Sequence, residues 1–315
     1  MKYYLGFDIG GTKCAVSVSE KGSGKIKDKI RFETNVERGW REIVDELISS
    51  ARKLLETNGI SADSVISCGV SCGGPLDPEK GIIMCPPNLP DWDNVPLADI
   101  IKNELGVPCK VRNDADACAL AEWQFGAGKG TRNMIFLTFG TGMGAGLILD
   151  SKLYSGTSGT AGEVGHIRLD SDGPVAYGKA GSFEGFCSGA GIAAMGKKML
   201  EIYNGTTVIP RDNVTAKTIA EAAMNGDKLA GAIYRRCGEK LGYALSILID
   251  ILNPEKIVIG SIFQRSGHLL ADSMNEVIKK EALGISAECC EIVPAVLGDD
   301  IGDYAAIGVA MEVDK

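Results

Sequence analysis

Apolar residues in the first third of the chain follow two periods, and each change of period marks a change of element. Residues 3–7, 14–19, 29–33, 65–71 and 107–112 are apolar runs or alternate with a period of two, the pattern of strands. Between them Trp40, Ile43, Val44, Leu47, Ile48, Ala51, Leu54 and Leu55 fall three and four apart, which predicts one amphipathic helix with a single buried face. Residues 116–122 are strongly helical, so Asn113-Asp114 lies where a strand gives way to a helix. In α/β sheets such junctions are where ligands bind.

The pattern restarts at 134–138 with a second strand, and short β-prone runs follow at 147–150 and 152–154. Helical spacing predicts helices over 189–203, 216–224 and 229–252, the last ended by Asn253-Pro254. Residues 256–261 read as a buried strand closing on Gly260-Ser261, which offers bare backbone to a ligand. Cys289-Cys290 sit in an apparent strand, facing opposite ways. A terminal helix is expected near 304–313. The two strand-hairpin openings resemble one another, which implies a weak internal duplication. The expected architecture is α/β, with two domains of mixed sheets covered by helices and hinged around a cleft. The first spans 1–115, joined by the C-terminal helix at about 300–315, and the second, larger one spans 116–299.

Chemistry concentrates in two glycine-rich turns, Asp8-Ile9-Gly10-Gly11-Thr12-Lys13 and Gly140-Thr141-Gly142-Met143-Gly144-Ala145-Gly146. Glycine lets a backbone approach a phosphate and aim several N–H donors at it, while Asp8 and Lys13 add a metal ligand and a counter-charge. Neither turn spells a Walker P-loop. The second does spell G-x-G-x-x-[GA], but a dinucleotide-binding loop opens a helix and this one opens a strand. Both turns therefore read as hairpin tips built to hold a nucleotide's phosphates. Asp114 stands between them in sequence, as a base for phosphoryl transfer or as a cap for the helix beside it.

The 315 residues carry a net charge of −8, which argues against a nucleic-acid partner. No apolar run of membrane-spanning length and no signal-peptide pattern is found, so a cytoplasmic protein is expected. The ten cysteines form no C-x-x-C pair, which suits reduced and mostly buried thiols.

Together the two turns, Asn113-Asp114, Glu163-Val-Gly-His166, residues 87–92 and residues 297–300 make the chain resemble a ROK-family sugar kinase, of the hexokinase, Hsp70 and actin superfamily. The resemblance spans nearly the whole chain and implies the two-domain, actin-like (ribonuclease H-like) ATPase fold. It also implies transfer of the γ-phosphate of ATP, with Mg²⁺, to a hexose hydroxyl, glucokinase-like at the 6-position. Asp8, Gly10, Gly11, Thr12 and Lys13 match the family's first phosphate motif and Gly140, Thr141, Gly142 and Gly144 the second, with Gly260 and Ser261 expected beside them. Asp8 would meet Mg²⁺ through phosphate or water. Asp114 matches the catalytic base. Glu163, His166 and Glu184 match sugar contacts, as do Asn88, Asn113 and the backbone at Gly74. Alternatives are a kinase for fructose, allose or an N-acetylhexosamine, or a non-catalytic sugar sensor. A homodimer is implied by the resemblance alone. One departure is large: where the family carries three zinc-binding cysteines, this chain has Val175, Tyr177 and Ser182, so no structural zinc is expected.

Overall fold

The apolar runs become strands of two separate sheets with the same strand order. In a computed structural model, which describes residues 1–314, the chain divides into two units. The first holds Met1–Gly130, Leu153–Ala161 and the chain from Val296 on; the second holds Thr131–Lys152 and Gly162–Ala295.

In the first unit Tyr3–Ile9 (β1) turns back into the antiparallel Lys13–Glu20 (β2), and Ile26–Glu33 (β3) continues the meander. Helix Gly39–Thr57 (α1) leads to Val65–Cys72 (β4), parallel to β1. A small hairpin of Leu76–Asp77 (β5) and Ile82–Ile83 (β6) and helix Leu97–Leu105 (α2) precede Cys109–Asn113 (β7), parallel to β4. Asp114–Phe125 (α3) follows directly. The sheet order is β3-β2-β1-β4-β7.

The second unit repeats the plan. Met134–Phe139 (β8) turns into Met143–Leu149 (β9), followed by Lys152–Leu153 (β10). A hairpin of Val175–Ala176 (β11) and Lys179–Ala180 (β12) precedes four helices, Phe183–Phe186 (α4), Gly189–Ile202 (α5), Ala216–Met224 (α6) and Lys228–Leu252 (α7). Lys256–Ile259 (β13) lies parallel to β8. After Ile262–Glu281 (α8) and Gly284–Cys289 (α9), Glu291–Pro294 (β14) lies parallel to β13. The order β10-β9-β8-β13-β14 matches the first sheet strand for strand. Ile301–Val313 (α10) returns to the first unit.

The face that α1 buries is the one its spacing predicts: Ile43, Val44, Leu47, Ile48, Ala51, Leu54 and Leu55 pack on Leu5, Phe7, Val16 and Val70. Each such side chain contributes roughly 1.5 to 3 kcal/mol when taken from water. The other face of the sheet receives α10 at backbone distance, because a Cβ on Gly69 would stand 2.1 Å from the Ala310 nitrogen.

That helix also moves the domain boundary. Gly308 lets α10 lie against Leu120, where a Cβ would come within 3.1 Å, so α3 belongs to the first unit and the unit runs to Gly130 instead of ending at 115. Residues 153–161 also return to it, with the Ser155 hydroxyl 3.2 Å from Asp116. The strand expected at Cys289-Cys290 is not formed: Cys289 ends α9 and Cys290 precedes β14. Among the described residues no helix is long and apolar enough to cross a membrane.

Candidate active site

Both glycine turns are hairpin tips, as their spelling predicts, and each leaves donors unused. In the first, Gly10 N–H donates to the Lys13 carbonyl at 3.0 Å, and Thr34 braces the turn from its N–H to Thr12 and its hydroxyl to Gly10, at 2.8 and 2.6 Å. In the second, Gly140 N–H donates to the Gly142 carbonyl at 3.1 Å. Among the described residues, the N–H groups of Gly11 and Thr12, and those of Thr141 and Gly142, meet no protein acceptor. Backbone donors left unpaired in an ordered turn ask for a ligand or water, and an anion satisfies them best.

The first turn is held against the loop that carries Asn88. A Cβ on Gly11 would stand 2.5 Å from the Asn88 carbonyl oxygen, so only glycine permits the approach. Lys13 faces Glu33 across β2 and β3 at 3.8 Å, with both side chains largely exposed. Such a pair is worth about 1 kcal/mol or less and leaves the ammonium available.

Asp8, the last residue but one of β1, lies beside the start of α10. Gly302 makes room there, since a Cβ would meet Asp8 Oδ2 at 2.2 Å. Next to it Asp303, 1% exposed, accepts from Lys29 and Arg31 at 2.8 and 2.7 Å. Burial, then the negative charges of Asp114 and Asp303, push Asp8 up to about 7, with Arg31 opposing them. Sequence reasoning missed Gly302 and Asp303; the acidic Gly298-Asp299-Asp300-Ile301-Gly302-Asp303 run was their signal.

Asp114 opens α3, yet it does not cap it. Asn113 is the cap, its Oδ1 accepting from the Asp116 N–H at 2.8 Å. Asp114 is thereby released from the structural duty an Asp at this junction often has. Its carboxylate is open on one side, beside Gly73 and next to the exposed Gly74, and accepts no hydrogen bond from a described residue. Protein around the rest strips water from it and raises its pKa above the ordinary carboxylate value. The Asn113 amide N–H₂ meets no acceptor among the described residues and is left for a ligand. Asp8 and Asp114 bring together carboxylates of the kind a divalent cation favours, but among the described residues no group of three or more His, Cys, Asp or Glu side chains is placed to hold a metal ion.

In the second unit the expected sugar contacts are packed onto the second turn. Glu184 Oε2 accepts from the Met143 N–H at 2.9 Å, immediately beyond the turn. Gly162 and Gly165 press the Glu163–His166 segment onto β9, where Cβ atoms would meet the Ala145 and Met143 carbonyls at 2.1 and 2.3 Å. Glu163 and His166 are exposed. The residues at the family's zinc positions do not form a metal site. Val175 has no donor, the Ser182 hydroxyl accepts from Gly185 N–H to cap α4, and the buried Cys187 thiol faces the Cys237 carbonyl. Tyr177 instead stacks on His166, with ring centroids 4.6 Å apart.

Beside the second turn is a cavity of about 840 Å³, within the range of small-molecule sites. Gly140, Thr141 and Ser261 line it, as do Thr215, Lys217 and Arg265. Helices α5 and α8 both begin at its wall, where Gly189 N–H donates to the Gly140 carbonyl at 2.8 Å, and two helix N-termini give the wall a positive field. Ser261 is held at φ 52, a strained value for a non-glycine residue, directly after Gly260. Sequence reasoning found Ser261 but not Gly189, Thr215, Lys217 or Arg265. The small-residue run Ser188-Gly189-Ala190-Gly191 at a helix start was the available signal.

A duplicated sheet with a glycine-tipped hairpin at the same place in each copy defines an actin-like ATPase fold. The chain belongs to the ROK family, whose profile matches residues 4–313. A glucokinase of Thermotoga maritima is 32% identical over 98% of this chain and 97% of its own length. The solved ROK-family glucokinase of Streptomyces griseus, in complex with glucose and AMPPNP, is 30% identical, with a TM-score of 0.74 over 98% of this chain and 99% of its own. The ROK hexokinase of Thermus thermophilus is 25% identical, with a TM-score of 0.83 over 99% of each chain.

Proposed function

We propose that this protein is an ATP-dependent hexose kinase that phosphorylates the primary, 6-position hydroxyl, with Asp114 as general base. The observation that carries the reading is that Asn113 caps α3, which leaves the Asp114 carboxylate unbonded, partly desolvated and in the company of Asp8. The glucokinase relatives support the substrate class.

A sugar hydroxyl is a weak nucleophile, and its proton must leave as the phosphoryl group arrives. Asp114 orients that hydroxyl and takes its proton, while the oxygen forms a bond to the γ-phosphorus and the bond from phosphorus to the β-phosphate oxygen breaks, releasing ADP. The raised pKa makes Asp114 a better proton acceptor than an ordinary aspartate. Unpaired N–H groups of the two glycine turns stabilise phosphate oxygens, with Lys13 as mobile counter-charge. The cavity beside Ser261 takes the nucleoside. Mg²⁺, when bound, neutralises phosphate charge, and Asp8 would hold it through phosphate or water. Glu163, His166 and Glu184, with Asn88, Asn113 and the Gly74 backbone, hold the sugar hydroxyls.

The test is ADP release with Mg-ATP across glucose, mannose, fructose, allose, N-acetylglucosamine and N-acetylmannosamine. Glucose turned over at roughly 10⁴ M⁻¹s⁻¹ or faster supports the reading. Preference for another member reassigns the substrate within the class. Sugar binding with no turnover of any member would overturn it in favour of a sensor.

A further inference from the structure

The hairpin that carries Val175 and Tyr177 is built around a residue its backbone does not favour. Strands β11 and β12 pair Val175 with Ala180 and Ala176 with Lys179, leaving a two-residue turn of Tyr177 and Gly178. Both have positive φ, 51° and 67°, as a type I′ turn demands. The first position of such a turn favours Asn, Asp or Gly, and a tyrosine there costs conformational energy without repaying it in the core, since Tyr177 is 70% exposed. Strain of this kind gathers at functional sites.

The ring does have a partner. It lies on the imidazole of His166 at 4.6 Å between centroids and 23° between planes. The hairpin is laced to the same segment: Lys179 Nζ donates to the His166 carbonyl at 2.7 Å, Arg168 to the Ala180 carbonyl at 2.6 Å, and Leu169 N–H to the Gly181 carbonyl at 2.8 Å. Beyond the ring, the phenol comes under the charges of Glu184 first and Glu163 last, with desolvation between them, and all three raise its pKa. One tyrosine therefore stacks on one of the three side chains of the second unit read as sugar contacts and feels the charge of the other two.

We infer that Tyr177 is a positioning residue for the sugar acceptor, its ring fixing the His166 imidazole by stacking in place of the metal that the donor set here does not fit. This rests on the reading of Glu163, His166 and Glu184 as sugar contacts. It predicts an acceptor site that functions without zinc and depends on an aromatic ring at position 177.

The discriminating variant is Tyr177→Asn, because Asn suits the turn and preserves the hairpin while removing the stack. Sugar binding is measured by calorimetry and turnover by ADP release, both after zinc chelation, with the thermal midpoint checking the fold. For Tyr177→Asn the expected result is a sugar Kd and KM raised about tenfold, with ATP KM and saturated kcat within about twofold of wild type. Tyr177→Phe keeps the ring and is expected to restore sugar affinity. Wild-type affinity in Tyr177→Asn, loss of affinity in Tyr177→Phe, or loss of wild-type binding on zinc removal would each overturn the inference. A wild-type protein that binds no sugar even before chelation would instead sink the underlying site assignment.

Discussion

Asp8 and Asp114 show how a side chain's neighbours decide its use. Capping passes to Asn113, and loss of water around the Asp114 carboxylate lifts it above the usual range, while burial and then the charges of Asp114 and Asp303 push Asp8 up to about 7. A base must be ionised to accept a proton, so kcat/KM should decline as pH falls through the folded values and stay flat above them. The acid limb should lie above the ~3.9 of a free aspartate, because burial raises Asp114. A pH–rate profile reads this, and a limb at or below that value would contradict the desolvation of Asp114. At this scale the sequence was most legible in the two glycine turns, whose residue types and order predict the hairpin tips that the structure has. What it hid was who caps α3, and that Glu184 also ties down the Met143 N–H, because both depend on hydrogen bonds that only tertiary placement decides.

Between elements, glycines set how closely one segment approaches another. Gly11 brings the Asn88 loop onto the first turn, and a methyl group there would have to displace backbone, a clash that typically costs about 1 to 3 kcal/mol. Gly11→Ala should therefore raise the KM of both ATP and sugar about tenfold or more. Gly284→Ala, at a position with open space, is the control and should behave as wild type. An alanine at 11 that alters only one substrate's KM would show that turn and loop act independently. Strands and the long helices were readable from period and punctuation. The boundary between units was not: α3 joins the first because Gly308 admits it against α10, nearly two hundred residues away in sequence.

Across the whole molecule the duplicated strand order was foreshadowed by the two hairpin openings, while the return of the last helix to the first sheet is secured by a charge pair the sequence does not announce. Glu312 on α10 accepts from Arg112 Nε at 2.9 Å, and the second guanidinium nitrogen is also within hydrogen-bonding distance. Burial pushes Glu312 upward, but the bonds and charge of Arg112, with Lys110, outweigh it and hold the carboxyl below its ordinary value. A depressed folded pKa gives stability that is present above the unfolded value of ~4.3 and is lost as pH falls through the folded one. Glu312→Gln should lower unfolding stability at neutral pH by roughly 2 kcal/mol, and the difference from wild type should shrink in acid. Equal urea midpoints at pH 7 would show that the pair contributes nothing. The central claim is the role of Asp114, and Asp114→Asn keeps its shape while removing the proton acceptor. The measurement is kcat by ADP release alongside sugar Kd by calorimetry for both proteins. A fall in kcat of about 10³-fold with Kd within about threefold is the predicted result. Turnover within tenfold of wild type would contradict the assignment.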